Sequence, residues 1–199
     1  IRTQAELTLM IDDQAVLRET GELLLTDYGV SGVCVFQLSR EAAPALAQGQ
    51  SVRLAVNFLP EIPSLLPWLD ARIRQLAPAS LLALTTGVLP RLLAQTVIRE
   101  ARLSPDMPAE ALSESEKQAL CGALSAFPLV VTGTQGFANA QVTRGGVSLA
   151  DVDPSTMASR LFDGLHIIGE LLDVDGPCGG YNLHFAFAGA LAAAKAIAG

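Results

Sequence analysis

The stretch "SVRLAVNFLPEIPSLLPWLDARIRQLAP", residues 51–78, changes its hydrophobic period partway along. Residues 51–58 alternate polar and apolar side chains, which is the pattern of a strand that buries one face. Through 61–126, leucine and isoleucine recur three or four residues apart, which predicts helices. Ser113 and Glu116 within that region have the spacing of a helix-capping box. The change of period therefore predicts a β-rich domain into which a helical segment is inserted.

On the amino-terminal side of this stretch, strand patterns dominate. Residues 4–9 alternate polar and apolar side chains, "DDQ" at 12–14 predicts a turn, and the following "AVLRE" can return as the second arm of a hairpin. A helix is expected at Val33–Ala47, with Ser31 as its candidate N-cap. Pro44 would kink that helix or end it early.

Strand patterns return at Phe127 and precede a final helix. The segments "FPLVVTG", "ANAQVT", "GGVSL" and "GLHIIGE" predict strands, and the alanine-rich end of the chain predicts a buried helix. The predicted fold class is α+β, a β-barrel-like split domain with an inserted helical subdomain, plus a C-terminal strand–loop–helix. The predicted boundaries are 1–60 for the β-rich part, 61–126 for the helical insert, 127–148 for the returning strands and 149–199 for the C-terminal piece.

Composition restricts the class of partner. The 199 residues are 50% hydrophobic and 17% charged, with a formal net charge of −7. This acidic balance argues against nonspecific binding to nucleic acid or to anionic membranes, so neither nucleic acid nor a membrane is predicted as a partner. The cysteines and histidines show neither metal-ligand spacing nor a disulfide framework, so no metal is predicted; they are Cys34, Cys121, Cys178, His166 and His184. The odd number and wide spacing of the cysteines lead us to expect reduced thiols in a cytoplasmic protein. No continuous apolar run has membrane length.

A glycine-rich segment, "GLHIIGELLDVDGPCGGYN" at 164–182, contains candidate binding residues. Residues 165–168 predict a buried strand of a parallel sheet, with Gly169 and Glu170 at its carboxyl end, where ligands bind in open α/β sheets. The glycines at 179–180 precede the alanine-rich helix, whose first turn offers free N–H groups and a partial positive charge to an anionic or electron-rich ligand. The same glycines can form a tight turn without a ligand, and the residues alone leave both interpretations open.

Two long segments of the chain resemble a known family. They are "LLLTDYGVSGVCVFQLSR" at 23–40 and "VTRGGVSLADVDPSTMASRLFDGLHIIGELLDVDGPCGGYNLHFAFAGA" at 142–190. Their motifs are similar to those of the bacterial BaiN-like, or aminoacetone-oxidase-like, FAD-dependent oxidoreductases. The chain departs from the family pattern in having Asp27 for His, Val33 for Pro, Arg160 for Lys and Cys178 for Thr.

The resemblance implies an intact flavoprotein that binds FAD and a small-molecule substrate, with NAD(P)H as the candidate electron donor. Glu170 would accept hydrogen bonds from the ribityl hydroxyls, while Tyr181 and Asn182 would present backbone N–H groups to the O2/N1 edge of the flavin. Gly145 and Gly146 would let the chain pass close to the isoalloxazine ring, or would form a plain hairpin turn. No catalytic residue is assigned. The full set of implied cofactor-binding residues is Gly145, Gly146, Gly169, Glu170, Gly179, Gly180, Tyr181 and Asn182.

Members of the family begin with a Rossmann unit carrying GxGxxG, and this motif does not occur in the chain. The resemblance therefore implies an N-terminally truncated flavoprotein, in which 149–199 would complete the Rossmann-type FAD domain of an N-terminal segment. Such a chain would bind FAD weakly or not at all and would be inactive alone. The alternative hypothesis is a non-catalytic binding or assembly module, with the helical region 62–126 as its interaction surface and purely structural glycine turns.

Overall fold

A computed structural model describes residues 1–199. The chain forms two compact units, Ile1–Gly133 and Thr134–Gly199, and each has its own hydrophobic cluster. None of the helices is long and apolar enough to cross a lipid bilayer. The strands and helices in chain order are β1 (Arg2–Ile11), β2 (Gln14–Leu25), β3 (Val30–Ser31), α1 (Val33–Ala47), β4 (Val52–Asn57), α2 (Leu65–Leu76), α3 (Leu81–Leu84), α4 (Arg91–Glu100), α5 (Glu114–Ser125), β5 (Phe127–Val130) and α6 (Tyr181–Ala198), with short 3₁₀ turns at Ala109–Ala111, Leu149–Asp151 and Gly169–Leu171.

The first unit is built on one antiparallel sheet with the strand order β3-β2-β1-β4-β5. Asp12 and Asp13 both have positive φ and turn the chain between β1 and β2, as a two-residue hairpin turn requires. Leu7 and Leu9 of β1 are fully buried, while their neighbours along the strand are more exposed. Because side chains alternate between the faces of a strand, the polar–apolar pattern of the sequence does locate β1 and β4.

Helix α1 covers the range expected from the sequence, Val33–Ala47, but it begins differently. Its N-cap is Gly32 rather than Ser31. The chain passes so close to β2 at this point that a Cβ atom on Gly32 would overlap the carbonyl oxygen of Glu22. Pro44 lies within the last turn and does not end the helix early, because only the hydrogen bond that its own missing N–H would have donated is lost there.

The helical insert packs on the sheet. Helix α5 begins at the predicted capping box, in which the Ser113 hydroxyl accepts a hydrogen bond from the Glu116 backbone N–H and the Glu116 carboxylate accepts one from the Ser113 backbone N–H. The Phe58 N–H donates to the Leu124 carbonyl at 2.9 Å, and the ring of Phe58 meets that of Phe127 edge to face with centroids 5.7 Å apart. Buried side chains of insert and sheet form one continuous cluster, so they share a core.

The second unit contains helix α6 and no regular strand. The strands predicted at 138–143, 145–149 and 164–170 are therefore wrong, and a C-terminal strand–loop–helix that completes a Rossmann domain is not confirmed. The backbone forms isolated bridges instead, of which the one between Val147 and Leu172 is parallel. A short apolar run becomes a strand only where neighbouring strands pair with its N–H and C=O groups, and this unit supplies no such strand.

Candidate functional site

The amino end of helix α6 is made by two glycines with positive φ. Gly179 has φ 128°, and Gly180, the N-cap, has φ 91°. No side chain caps the helix, and the first hydrogen bond within it runs from the His184 N–H to the Gly180 carbonyl at 2.9 Å. The N–H groups of Tyr181 and Asn182 in the first turn are therefore without a side-chain acceptor, and they carry the positive end of the helix dipole. A Cβ atom on Gly180 would meet nothing within 4 Å.

The side chain of Asn182 has a structural role that the sequence did not indicate. Its Oδ1 accepts a hydrogen bond from the Gly176 N–H at 2.7 Å, and its Nδ2 donates to the Gly176 carbonyl at 3.2 Å. The amide thereby pairs with the backbone of Gly176 as a neighbouring strand would, and it closes the loop that carries the two helix-start glycines. A Cβ atom on Gly176 would lie 3.1 Å from the Tyr181 Cβ, so a side chain there would need its neighbours to shift by a few tenths of an ångström, a constraint that we did not predict.

The pair Gly145 and Gly146 does not form a hairpin turn, and its two members differ in what surrounds them. A Cβ atom on Gly146 would lie 2.6 Å from the Leu171 carbonyl oxygen and 2.9 Å from the Asp173 nitrogen. The next residue, Val147, exchanges backbone hydrogen bonds of 2.8 and 2.9 Å with the same two residues. Gly146 is thus required by close approach of two backbone segments. Gly145 has φ 98° with open space beside it, so it alone leaves room for a ligand.

Gly169 and Glu170 lie in a 3₁₀ turn instead of at the end of a strand. Gly169 is buried with φ 64°, and a Cβ atom on it would lie 3.5 Å from the Cβ of Ala186 in α6. Glu170 is exposed, and its carboxylate makes no ion pair or hydrogen bond within the chain. The turn packs against α6, so Gly169 has a packing role while the Glu170 carboxylate is available to a ligand.

These segments lie side by side within the second unit. The bridge at Val147 joins the Gly145 segment to the turn that holds Glu170, and that turn packs against α6. Gly169 contacts Ala186, about 9 Å along α6 from the Gly180 cap, so the helix start and the Glu170 turn are two separate binding elements. The first offers uncapped N–H groups and the second an unpaired carboxylate, which suits a long polar cofactor, and neither includes a nucleophile–base pair. No group of three or more His, Cys, Asp or Glu side chains is placed to hold a metal ion.

Neither of the cysteines of the first unit is an activated nucleophile. Burial raises the pKa of the Cys34 thiol and of the Cys121 thiol, because desolvation disfavours the thiolate. The Cys34 thiol instead donates to the Glu22 carbonyl at 3.4 Å, beside the close approach at Gly32. Gly32 and Cys34 thus have a structural role where the start of α1 approaches β2.

The sequence model of the family described as "HI0933-like protein barrel and H2TH domain" matches residues 3–142. The chain belongs to this family. The antiparallel sheet and the helical insert of the first unit correspond to the two parts of that description, and the motifs at 23–40 and 142–190 indicated the same family of BaiN-like flavoprotein oxidoreductases.

Similar proteins of known name support the family assignment. Over its whole length the chain is 36% identical to part of a 3-dehydro-bile acid delta(4,6)-reductase of Clostridium scindens, covering 49% of that protein. Over 92% of its length it is 34% identical to a ribosomal RNA dihydrouridine synthase of Escherichia coli, covering 44% of it. The Haemophilus influenzae protein of the same name is 31% identical over 88% of the chain and is covered to 42%. The chain thus spans less than half the length of these relatives.

Proposed function

We propose that the complete protein containing this chain is an FAD-dependent oxidoreductase with NAD(P)H as its electron donor. The observation that carries the proposal is the uncapped, glycine-made start of α6, with Gly180 in the left-handed region and open space where its side chain would be. An exposed helix start of this kind binds electron-rich groups. Family membership and the reductase among the relatives support the reaction class.

The second unit supplies groups that fit the pyrimidine edge and the ribityl chain of a flavin. The backbone N–H groups of Tyr181 and Asn182 would donate to the O2/N1 edge, and the unpaired Glu170 carboxylate would accept hydrogen bonds from ribityl hydroxyls. Gly145, with no atom near its Cβ position, would leave space for the ring. Bound FAD would supply the redox chemistry by accepting a hydride from NAD(P)H and passing it to the substrate.

The start of α6 would also favour the reduced form of the cofactor. Reduction places negative charge near N1, and a helix N-terminus stabilises nearby negative charge by about 0.3–1 kcal/mol, or more when the group is partly buried. No acidic side chain lies in the first turn of α6 to oppose this effect. The residues of this chain would thus hold and orient the cofactor, and no residue of the second unit is proposed as a proton donor.

We further propose that an apolar stripe on α6 packs against a Rossmann-type nucleotide-binding segment. Leu183, Phe187 and Leu191 are four residues apart and therefore lie on one face of the helix. They are 66%, 69% and 64% exposed. Burying each would contribute about 1.5–3 kcal/mol. Helices of soluble proteins rarely leave such a stripe in water, and a nucleotide-binding segment is what the site needs to hold the rest of FAD.

Charge substitution on the stripe tests this partner. Phe187→Glu should leave the thermal stability of residues 1–199 unchanged, because the ring is already exposed. In the complete protein the same change should lower flavin occupancy and loosen the domain contact. Val130→Glu, on an equally exposed apolar residue of the first unit, is the control. Unchanged flavin content in the Phe187 variant would refute the proposed packing.

The substrate belongs to one of two classes. A small organic molecule with a reducible double bond is the first candidate, as the name of the Clostridium relative indicates for that protein. A pyrimidine of RNA is the second, as the name of the Escherichia coli relative indicates for that protein, and a specific observation favours it: helix α4 of the insert exposes arginines that have no partner in the chain. Anaerobic mixing with NADH or NADPH should bleach the flavin, and the reduced protein should then be reoxidised by one substrate class and not by the other. Flavin that neither nicotinamide cofactor reduces would refute the NAD(P)H proposal.

A further inference from the structure

The helical insert contains paired cations, such as Lys117 with Asp70 and Arg72 with the Leu84 and Thr86 carbonyls, but the arginines at its helix α4 differ from these and from the arginines of the sheet. The arginines of the sheet form ion pairs: Arg2 with Glu22 and Arg18 with Glu6 on the neighbouring strand, and Arg53 with Asp13 in the β1–β2 turn. In contrast, Arg91 and Arg99 of helix α4, and Arg102 just beyond it, are exposed and make neither an ion pair nor a side-chain hydrogen bond. The chain is acidic overall, with a net charge of −7, yet these cations are left unpaired.

The rotation of α4 fixes where these side chains point. Leu93, Ala94, Val97 and Ile98 bury one side of the helix in the core of the first unit. At 100° per residue, positions 91, 95 and 99 fall within an arc of about 80° on the other side, and they extend over about 12 Å of helix axis. Arg102 follows the end of the helix with φ 60°. We call the set Arg91, Gln95, Arg99 and Arg102 the arginine face.

We propose that the arginine face binds the phosphate backbone of RNA. Arginine forms bidentate hydrogen bonds with phosphate, and a glutamine amide donates to phosphate oxygens as well. The net charge of the whole chain does not prevent this, since the screening length in physiological salt is about 8 Å and local charges dominate. With the exposed Glu100 of α4 counted against the three arginines, the local charge is still +2. The inference rests on the second substrate class proposed above, for which it supplies the docking surface.

Other anionic partners match the arginine face less well. Recognition of an anionic membrane relies on clusters of about four to eight basic residues, usually beside a membrane anchor or on an amphipathic helix. The arginine face has three arginines, and Leu92 is the one large apolar side chain that α4 exposes beside them. Backbone phosphates in a row match cations spread along a helix axis, as Arg91 and Arg99 are.

The test is a salt titration of RNA binding with the complete protein. The probe is a short fluorescent single-stranded RNA, and vesicles containing phosphatidylserine are the competing partner. In the triple variant Arg91→Glu, Arg99→Glu, Arg102→Glu, the slope of log affinity against log salt should fall by about 2, since each phosphate contact on a single strand contributes about 0.7. Arg74→Glu is the matched control, because Arg74 is an exposed, unpaired arginine on α2; its slope should stay within about 0.7 of the wild type.

One single variant separates binding from folding. Arg91 lies in the first turn of α4, which has no acidic side chain, and a glutamate there is favoured by the helix dipole. Arg91→Glu should therefore keep or raise the melting temperature while weakening RNA binding. The proposal is overturned if the triple variant keeps the wild-type RNA affinity and salt slope. It is also overturned if Arg74→Glu loses as much RNA affinity as the triple variant, or if the wild-type protein binds the vesicles as tightly as it binds RNA. Flavin absorbance of the same samples is measured separately. If the protein holds flavin but does not bind RNA, this inference is refuted and the proposed flavoenzyme function is not. If it binds RNA but holds no flavin, the proposed function is refuted and this inference is not.

Discussion

Substitution of Gly180 by asparagine or valine separates a cofactor contact from a simple turn. Gly180 has φ 91° and ψ −3°, and a Cβ atom there would meet no atom of the chain within 4 Å. Asparagine tolerates this left-handed conformation, so Gly180→Asn should change the unfolding free energy by less than about 0.5 kcal/mol. Valine does not tolerate it, and Gly180→Val should destabilise the protein by about 1–2 kcal/mol.

Cofactor affinity should respond to both substitutions alike. Either side chain would enter the space in front of the first-turn N–H groups and break at least one hydrogen bond to the flavin edge. Leaving a backbone donor unsatisfied costs about 1–3 kcal/mol, so FAD should bind roughly five- to a hundredfold more weakly.

The assay is flavin absorbance per protein in the complete protein, followed by titration with FAD and thermal unfolding of the same samples. Gly164 provides matched controls, because it has φ 75° and open space around its Cβ position in the same unit. Gly164→Asn and Gly164→Val should reproduce the stability changes without the loss of affinity. If Gly180→Asn retains full flavin affinity, the start of α6 is a structural turn and the reasoning is wrong.

Further substitutions test the supporting structure. Gly146→Ala should destabilise the second unit by about 1–3 kcal/mol, because no Cβ fits between the two backbone segments; thermal unfolding measures this. Asn182→Leu removes both hydrogen bonds to Gly176, and should cost about 1–3 kcal/mol and speed hydrogen exchange of the Gly176 amide. Ser113→Ala should cost about 1 kcal/mol near neutral pH by urea unfolding. Hydrogen bonds from Ser113 lower the pKa of Glu116 below its usual 4.5, so the part of the cap that the Glu116 carboxylate makes is present above that pH and lost as pH falls through the lowered pKa, while the bond from the Glu116 N–H to the Ser113 hydroxyl remains.

Features with a strong local pattern could be predicted from the sequence. The bounds of α1 agree at both ends, because a helix-period run lies between Gly32 and Gly49. The capping box at Ser113 is confirmed, since its two partners are only three residues apart. For β4 the alternation of 51–58 is sufficient. In each case, the interaction that decides the structure lies within a few residues along the chain.

Features that depend on distant neighbours could not be predicted. The apolar run at 165–168 has the composition of a buried strand, but Leu165 and Ile168 are 43% and 38% exposed, and no strand pairs with them. The requirement for Gly146 comes from the backbone at Leu171, which lies 25 residues away. Pairing of Asn182 with Gly176 likewise depends on how the loop closes. A sequence of this kind indicates glycine and amide residues without showing what they contact.

Flavin content of the purified complete protein tests the central claim most directly. We predict a yellow protein whose cofactor, released by denaturation, is FAD in stoichiometric amount, and weak or no retention of FAD by residues 1–199 alone. A colourless complete protein that takes up no FAD on reconstitution would contradict the account, and would favour a non-catalytic module whose glycines serve only turns and packing.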